Sequence, residues 1–168
     1  KNLLLKYNAK TVVCLISSML LYSTVSITSV VAAEAASKLS ASQEIKYTGK
    51  DKYLLSAQYY EGEEQGAGVI LLHDCSHDSK SYSKLGRSLA EKGLHTLALD
   101  FRGFGKSASA IYSHHNIKKN SKNLITYQKE VLRLTSFWED DVFSAHNKLR
   151  SKIGNKEGIA VVAAGCAV

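Results

Sequence analysis

The sequence predicts an α/β protein built on a mostly parallel sheet with flanking helices. Three observations predict it. Residues 69–72, 94–99 and 158–164 are short apolar runs without polar alternation, the pattern of strands buried on both faces. Two stretches between them carry apolar residues at helical spacing, each closed by glycine. The resulting order of strand, helix, strand, helix, strand is that of crossover connections in a parallel sheet.

Each element has its own signal. Residues 44–47 and 53–60 read as strands joined by Thr48-Gly49-Lys50-Asp51, a hairpin turn. The polar stretch 61–66 leads into a strand over 67–73. Tyr82, Leu85 and Leu89 then repeat at i, i+3 and i+7, and Gly93 stands where a helix end wants it. The next strand ends at Asp100. Residues 101–135 are polar and irregular, with helical character only from about Leu124. Trp138, Val142, Ala145, Leu149 and Ile153 set a second helix that stops at Gly154-Asn155. A final apolar strand follows, and there is no internal repeat.

Composition narrows the class. With 168 residues, 45% apolar and 22% charged, the chain suits one ordinary globular domain and excludes wholesale disorder. Three cysteines are too few for a disulfide-dense miniprotein, and the absence of proline excludes collagen and proline-rich linkers. The net charge of +7 concentrates between His114 and Arg133, where Lys118, Lys119, Lys122, Lys129 and Arg133 face only Glu130. Such a run reads as a solvated face, without the interleaved aromatics of a single-strand binder, so no nucleic acid is expected.

The N-terminus has the three parts of an export signal. Lys1, Lys6 and Lys10 precede a run from Thr11 to Ala33 that carries no charge, and Ala33-Glu34-Ala35 forms a small-residue cleavage site. Residues 1–35 therefore read as a signal peptide, with an uncleaved membrane anchor as the alternative because the run is long enough to span a bilayer. Residues 36–43 are expected to be a flexible tail and 44–168 the folded domain. Losing 1–35 leaves 133 residues with a net charge of +5. The expected location is exported, periplasmic or secreted, with membrane contact only through an uncleaved signal.

Ligands of open α/β sheets bind at the carboxyl ends of the strands. Those ends carry His73-Asp74-Cys75-Ser76-His77-Asp78, Asp100-Phe101-Arg102-Gly103-Phe104-Gly105-Lys106-Ser107 and Ala163-Ala164-Gly165-Cys166-Ala167-Val168. His73 and His77 beside Asp74, Cys75 and Asp78 have a metal-like composition. Their spacing brings ligands together on a helix, not across a strand end and loop, so no metal is assigned.

In these three segments the sequence resembles the α/β-hydrolase family, nearest its dienelactone-hydrolase and serine-peptidase-like branch. The likeness rests on Asp100-x-Arg102-Gly103-x-Gly105-x-Ser107 after a buried strand, on the His73-led loop, and on a final strand feeding a turn of small residues, the position of the nucleophile elbow. It covers roughly residues 43–168, the N-terminal half of that fold. The chain is thus expected to be a fragment, truncated after the fifth strand, with no residue at the positions of the family's later acid and histidine. By position, the backbone N–H groups of Cys75 and of the residue after the nucleophile, Cys166, would form the oxyanion hole. His73, Asp74, Asp100, Arg102, Gly103, Gly105 and Ser107 would be structural, with Arg102 as a substrate-carboxylate anchor the alternative.

Two departures bear on activity. Asp74 stands where the family has glycine. The elbow register set by Ile159-Ala160-Val161-Val162 puts Gly165 at the nucleophile position, where it has nothing to attack with. A shift of one residue makes Cys166 the nucleophile but puts Val168 where a small residue belongs. The resemblance also makes Cys75 and Cys166 neighbours. Two separate buried thiols are expected, with a disulfide the alternative. His114, His115 and His146 read as surface residues. The resemblance implies no cofactor and a small-molecule or peptide substrate, and the oligomeric state is left open. Two functions follow: hydrolysis of an ester, thioester or peptide bond by the parent protein, or a non-catalytic hydrolase-fold binding or scaffold protein.

Overall fold

The sheet is ordered β1-β2-β4-β3-β5 in the computed structural model, which describes residues 41–154 and 158–167. Its strands are β1 (Ser42–Thr48), β2 (Leu54–Tyr60), β3 (Gly68–Leu72), β4 (His95–Asp100) and β5 (Ile159–Ala163). The pairs β1–β2 and β2–β4 are antiparallel, whereas β3 runs parallel to both β4 and β5. Four strands therefore point one way and β2 alone is reversed, as a sheet with one hairpin at its start requires.

Four helices connect the strands: α1 (Ser83–Ala90), α2 (His114–Asn120), α3 (Leu124–Thr135) and α4 (Trp138–Ile153). A short 3-10 turn, Ser79–Tyr82, leads into α1. Alternation along β3 splits the core. Ile70 and Leu72 face α4 together with Leu55, Leu97, Leu99, Trp138, Leu149 and others, while Val69 and Leu71 join Tyr60, Ala90 and Ala98 on the α1 side. Ile70, Leu71, Leu97 and Leu99 are fully buried, and each such side chain is worth about 1.5–3 kcal/mol.

Along α1 and the turn before it, Tyr82 and Leu89 pack against the core as the spacing predicts, and only Leu85 departs from the expected face. The fully buried residues of the helix are Gly86 and Ala90, and Leu85 is exposed. The reason is close approach: a Cβ on Gly86 would lie 2.5 Å from the Tyr60 ring. Gly93 ends the segment as expected, at φ +84°, with its N–H donating to the Ala90 carbonyl.

Three other expectations change. β1 begins at Ser42, so the last two residues of the expected tail are paired with Tyr60 and Tyr59. The stretch 101–135 holds a helix, α2, in its expected irregular part. Ser113 caps it by accepting from the Asn116 N–H, and Asn123 caps α3 by accepting from the Thr126 N–H. Finally, among the described strands β5 pairs with β3 alone, and Val161 and Val162 are about half exposed where the apolar run predicts burial on both faces. The expected signal, residues 1–35, lies outside the described residues; among those described, no helix is long and apolar enough to cross a membrane.

Candidate functional site

The carboxyl ends of β3, β4 and β5 bring the three singled-out segments together. After β3, the His73 ring is buried between Phe101 and Phe104. Its Nε2 accepts from the Phe101 N–H at 3.1 Å, so Nδ1 carries the proton and donates to the Asp74 carbonyl at 2.7 Å. Burial pushes its pKa below the ordinary value. Both nitrogens are spent on backbone, so His73 is a strut of the loop and leaves no lone pair for a metal. Asp74 then accepts from the Ser76 N–H and pairs with His77, whose hydrogen bond holds the carboxyl below the usual range.

After β4, each position of the Asp100-x-Arg102-Gly103-x-Gly105-x-Ser107 pattern has a scaffold role. Asp100 accepts from the Ser79 N–H at 2.7 Å and the Lys106 N–H at 2.9 Å, tying the two loops together. Gly105, at φ +47°, leaves room for this: a Cβ there would meet the Asp100 carboxylate at 2.5 Å. Gly103, at φ +88°, packs against Leu134. Ser107 Oγ accepts from the Ser56 N–H in β2, and its carbonyl accepts from the Tyr53 hydroxyl. Lys106 pairs with Glu44 on β1.

Arg102 is the centre of this turn, 1% exposed. Its guanidinium donates to both oxygens of Asp51, at 2.6 and 2.9 Å, and both of Asp141, at 3.1 and 2.7 Å. Tyr53 and Phe137 lie 4.3 Å from its charge centre. Burial alone would lower its pKa, but the two aspartates outweigh that and raise it. Burial raises the Asp141 carboxyl above its ordinary value despite Arg102, whereas exposed Asp51 is held low by the same cation. With its donors committed, Arg102 anchors the scaffold and not a substrate carboxylate. Neither aspartate stood out in the sequence. Asp141 could have: it falls on the stripe of Trp138, Ala145 and Leu149, and a charge on a buried stripe needs a partner.

After β5, the Ala164 N–H continues the ladder to the Leu72 carbonyl, and the chain turns at Gly165 with φ +57°. A Cβ on Gly165 would come within 2.8 Å of the Asp74 Cβ. The two departures seen in the sequence thus meet in space: the Asp74 side chain abuts the point from which a residue-165 side chain would emerge. Cys166 is joined to Cys75 in a disulfide, with Cα atoms 5.9 Å apart. This corrects the expectation of separate thiols. It also removes Cys166 as a nucleophile in this state, since the thiolate is the attacking species and a disulfide sulfur has none.

Beside the disulfide opens a cleft of about 650 Å³ between the strand ends and the α2–α3 segment. His114 lines it, half-buried, which corrects its reading as a surface residue. Its ring stacks on Phe104 at 4.7 Å, and its Nε2 lies 3.1 Å from the Tyr127 hydroxyl. His115, exposed as expected, and Lys118 also border the cleft.

A sheet with reversed β2, a scaffold turn after β4 and a sharp turn after β5 is the N-terminal part of an α/β-hydrolase fold. The family model for serine aminopeptidase, S33, matches residues 63–136. Among solved structures, the chain is similar to DcsB, determined in complex with a substrate analogue, with TM-score 0.55, 11% identity, and coverage of 76% of this chain and 38% of that one. It is also similar to an epoxide hydrolase from Vigna radiata, with TM-score 0.51, 16% identity and coverage of 75% and 31%. A third is an esterase from Pyrococcus furiosus, with TM-score 0.50, 20% identity and coverage of 73% and 40%. The chain thus spans less than half the length of each. No curated protein matches it.

Proposed function

We propose that this chain is part of an exported α/β-hydrolase-fold protein that binds a small molecule or peptide at its strand ends without an elbow nucleophile. The observation that carries the reading is the Gly165 turn with Asp74 packed against it, at the position the β5 register assigns to the nucleophile. A glycine there offers no oxygen or sulfur to attack a carbonyl, and the neighbouring sulfur is held in a disulfide. Export is supported by the N-terminal pattern and by that disulfide, since such bonds persist in oxidising compartments.

A second reading is favoured by the position of Cys166 in the turn itself. Reduction would free its thiol for attack on an ester, thioester or peptide carbonyl, with the Cys75 N–H and an elbow N–H on the oxyanion. A p-nitrophenyl acetate assay on the full-length protein, oxidised and reduced, separates the two. The expected result is no turnover above that of a Cys166→Ala variant in either state. Turnover in the reduced protein that disappears with Cys166→Ala would sink the non-catalytic reading.

A further inference from the structure

The cleft beside the disulfide differs in chemistry from the elbow, and its walls specify a ligand. Among the described residues, no aspartate or glutamate lines it. Lys118 stands on its border and makes no ion pair among the described residues. The surrounding segment adds positive charge, because Lys119 lies on α2, Lys122 between α2 and α3, and Lys129 on α3, and Glu130 is paired with Arg133. An unpaired cation on a carboxylate-free wall leaves a positive potential that an anionic group would satisfy. The rest of the lining includes an apolar and aromatic part, Phe104 and Val131 with the rings of His114 and Tyr127.

The His114–Tyr127 pair supplies a fixed polar point. Burial holds His114 toward its neutral form, and the charge of Lys118 adds to that. In the neutral pair, either the hydroxyl donates to Nε2, leaving an Nδ1–H, or Nε2–H donates to the hydroxyl oxygen, leaving the tyrosine O–H. One donor remains unspent in both arrangements. The volume, about 650 Å³, falls within the range of small-molecule sites.

We propose that this cleft binds a small organic anion, with its acid group at Lys118 and the unspent donor of the His114–Tyr127 pair and its apolar body against Phe104 and Val131. The inference rests on the binding role proposed above and names the ligand class. It does not depend on whether the elbow performs chemistry, so the two fail separately: the ester assay reads one and direct binding reads the other.

The test titrates the full-length oxidised protein with phenylacetate, phenyl phosphate and the uncharged phenylacetamide, followed by NMR shifts of the Lys118 and Tyr127 amides. Both acids are expected to bind, and the amide about tenfold more weakly, the scale of a hydrogen bond to a charged group. Stronger binding of the phosphate than of the carboxylate would mark a phosphate ester as the head group, and the reverse a carboxylic acid. Lys118→Gln, an exposed change that spares the core, should weaken the acids about tenfold and leave the amide unchanged. Equal affinity for acid and amide, acid binding untouched by Lys118→Gln, or no binding of any probe would each overturn the anion site.

Discussion

The turns after β4 and β5 end neighbouring parts of one sheet, yet they are held by opposite means. β4 lies between β2 and β3 with all six residues buried, and its turn is fixed by Asp100, Arg102 and Ser107 through hydrogen bonds to Ser79, Asp51, Asp141 and Ser56. β5 has one neighbour among the described strands, two half-exposed valines and a turn joined covalently to Cys75. Where packing surrounds the backbone, polar groups can be matched one by one and their desolvation offset. The β5 turn is instead tied to the loop after β3 by a cross-link, beside the ladder bond from the Ala164 N–H to the Leu72 carbonyl.

The largest way to break this comparison is Arg102→Ala. It would leave Asp141, which has no exposure, without the cation that holds it, and removal of one partner from such a pair costs about 3–5 kcal/mol. Urea denaturation reads the loss directly. Adding Asp141→Asn to that variant should restore part of it, because a neutral amide tolerates burial better than an unpaired carboxylate. A loss below about 1 kcal/mol would mean that the β4 turn is held by its hydrogen bonds to Asp100 and Ser107, with Arg102 a passenger.

The disulfide comes next. Its cysteines are 91 residues apart, and replacing both with alanine should cost about 2–4 kcal/mol. Location matters more than size here. Hydrogen exchange should accelerate in β5 and the Gly165 turn and stay nearly unchanged in β4. Equal loss of protection in both strands would show that β5 and β4 open as one unit, and the contrast between the turns would collapse.

Much of this molecule could be read from its residues, and the unread parts share a cause. Apolar runs over 69–72 and 94–99 and the Trp138–Ile153 spacing placed β3, β4 and α4 because local period and burial agree there. The helix α2 went unseen because its seven residues, His114–Asn120, include none that is fully buried and turn only His114 and Ile117 inward, too few to make a stripe; its Ser113 cap is the signal that betrays it. The Arg102 turn was legible as a scaffold, but its aspartates were not. Asp51 and Asp141 come from a hairpin and a helix 90 residues apart in sequence, and only the fold makes them meet at one guanidinium. The Asp74–Gly165 contact is of the same kind: each residue is an oddity alone, and their proximity gives the pair its meaning.

The smallest expected effect sharpens the comparison from the β4 side through pH. Burial lowers the His73 pKa in the folded protein from an ordinary 6.5, so around and below that pH the folded state binds fewer protons than the unfolded state. Its contribution to stability is therefore complete above pH 6.5 and is lost as pH falls through the interval to its lowered folded value. His114 contributes with the same sign, whereas Asp141, whose pKa burial raises, gains stability as pH falls through its own raised value. The low carboxyls of Asp51 and Asp74 act in a more acid window, below their ordinary 3.8. Comparing urea midpoints at pH 7.5 and 5.5 for the wild type and His73→Gln isolates one term, since the other groups are common to both. The wild type should lose more on acidification than the variant. If the two curves fall in parallel, protonated His73 is accommodated in the loop, and its Nε2 bond to Phe101 is not what joins the β3 turn to the β4 turn.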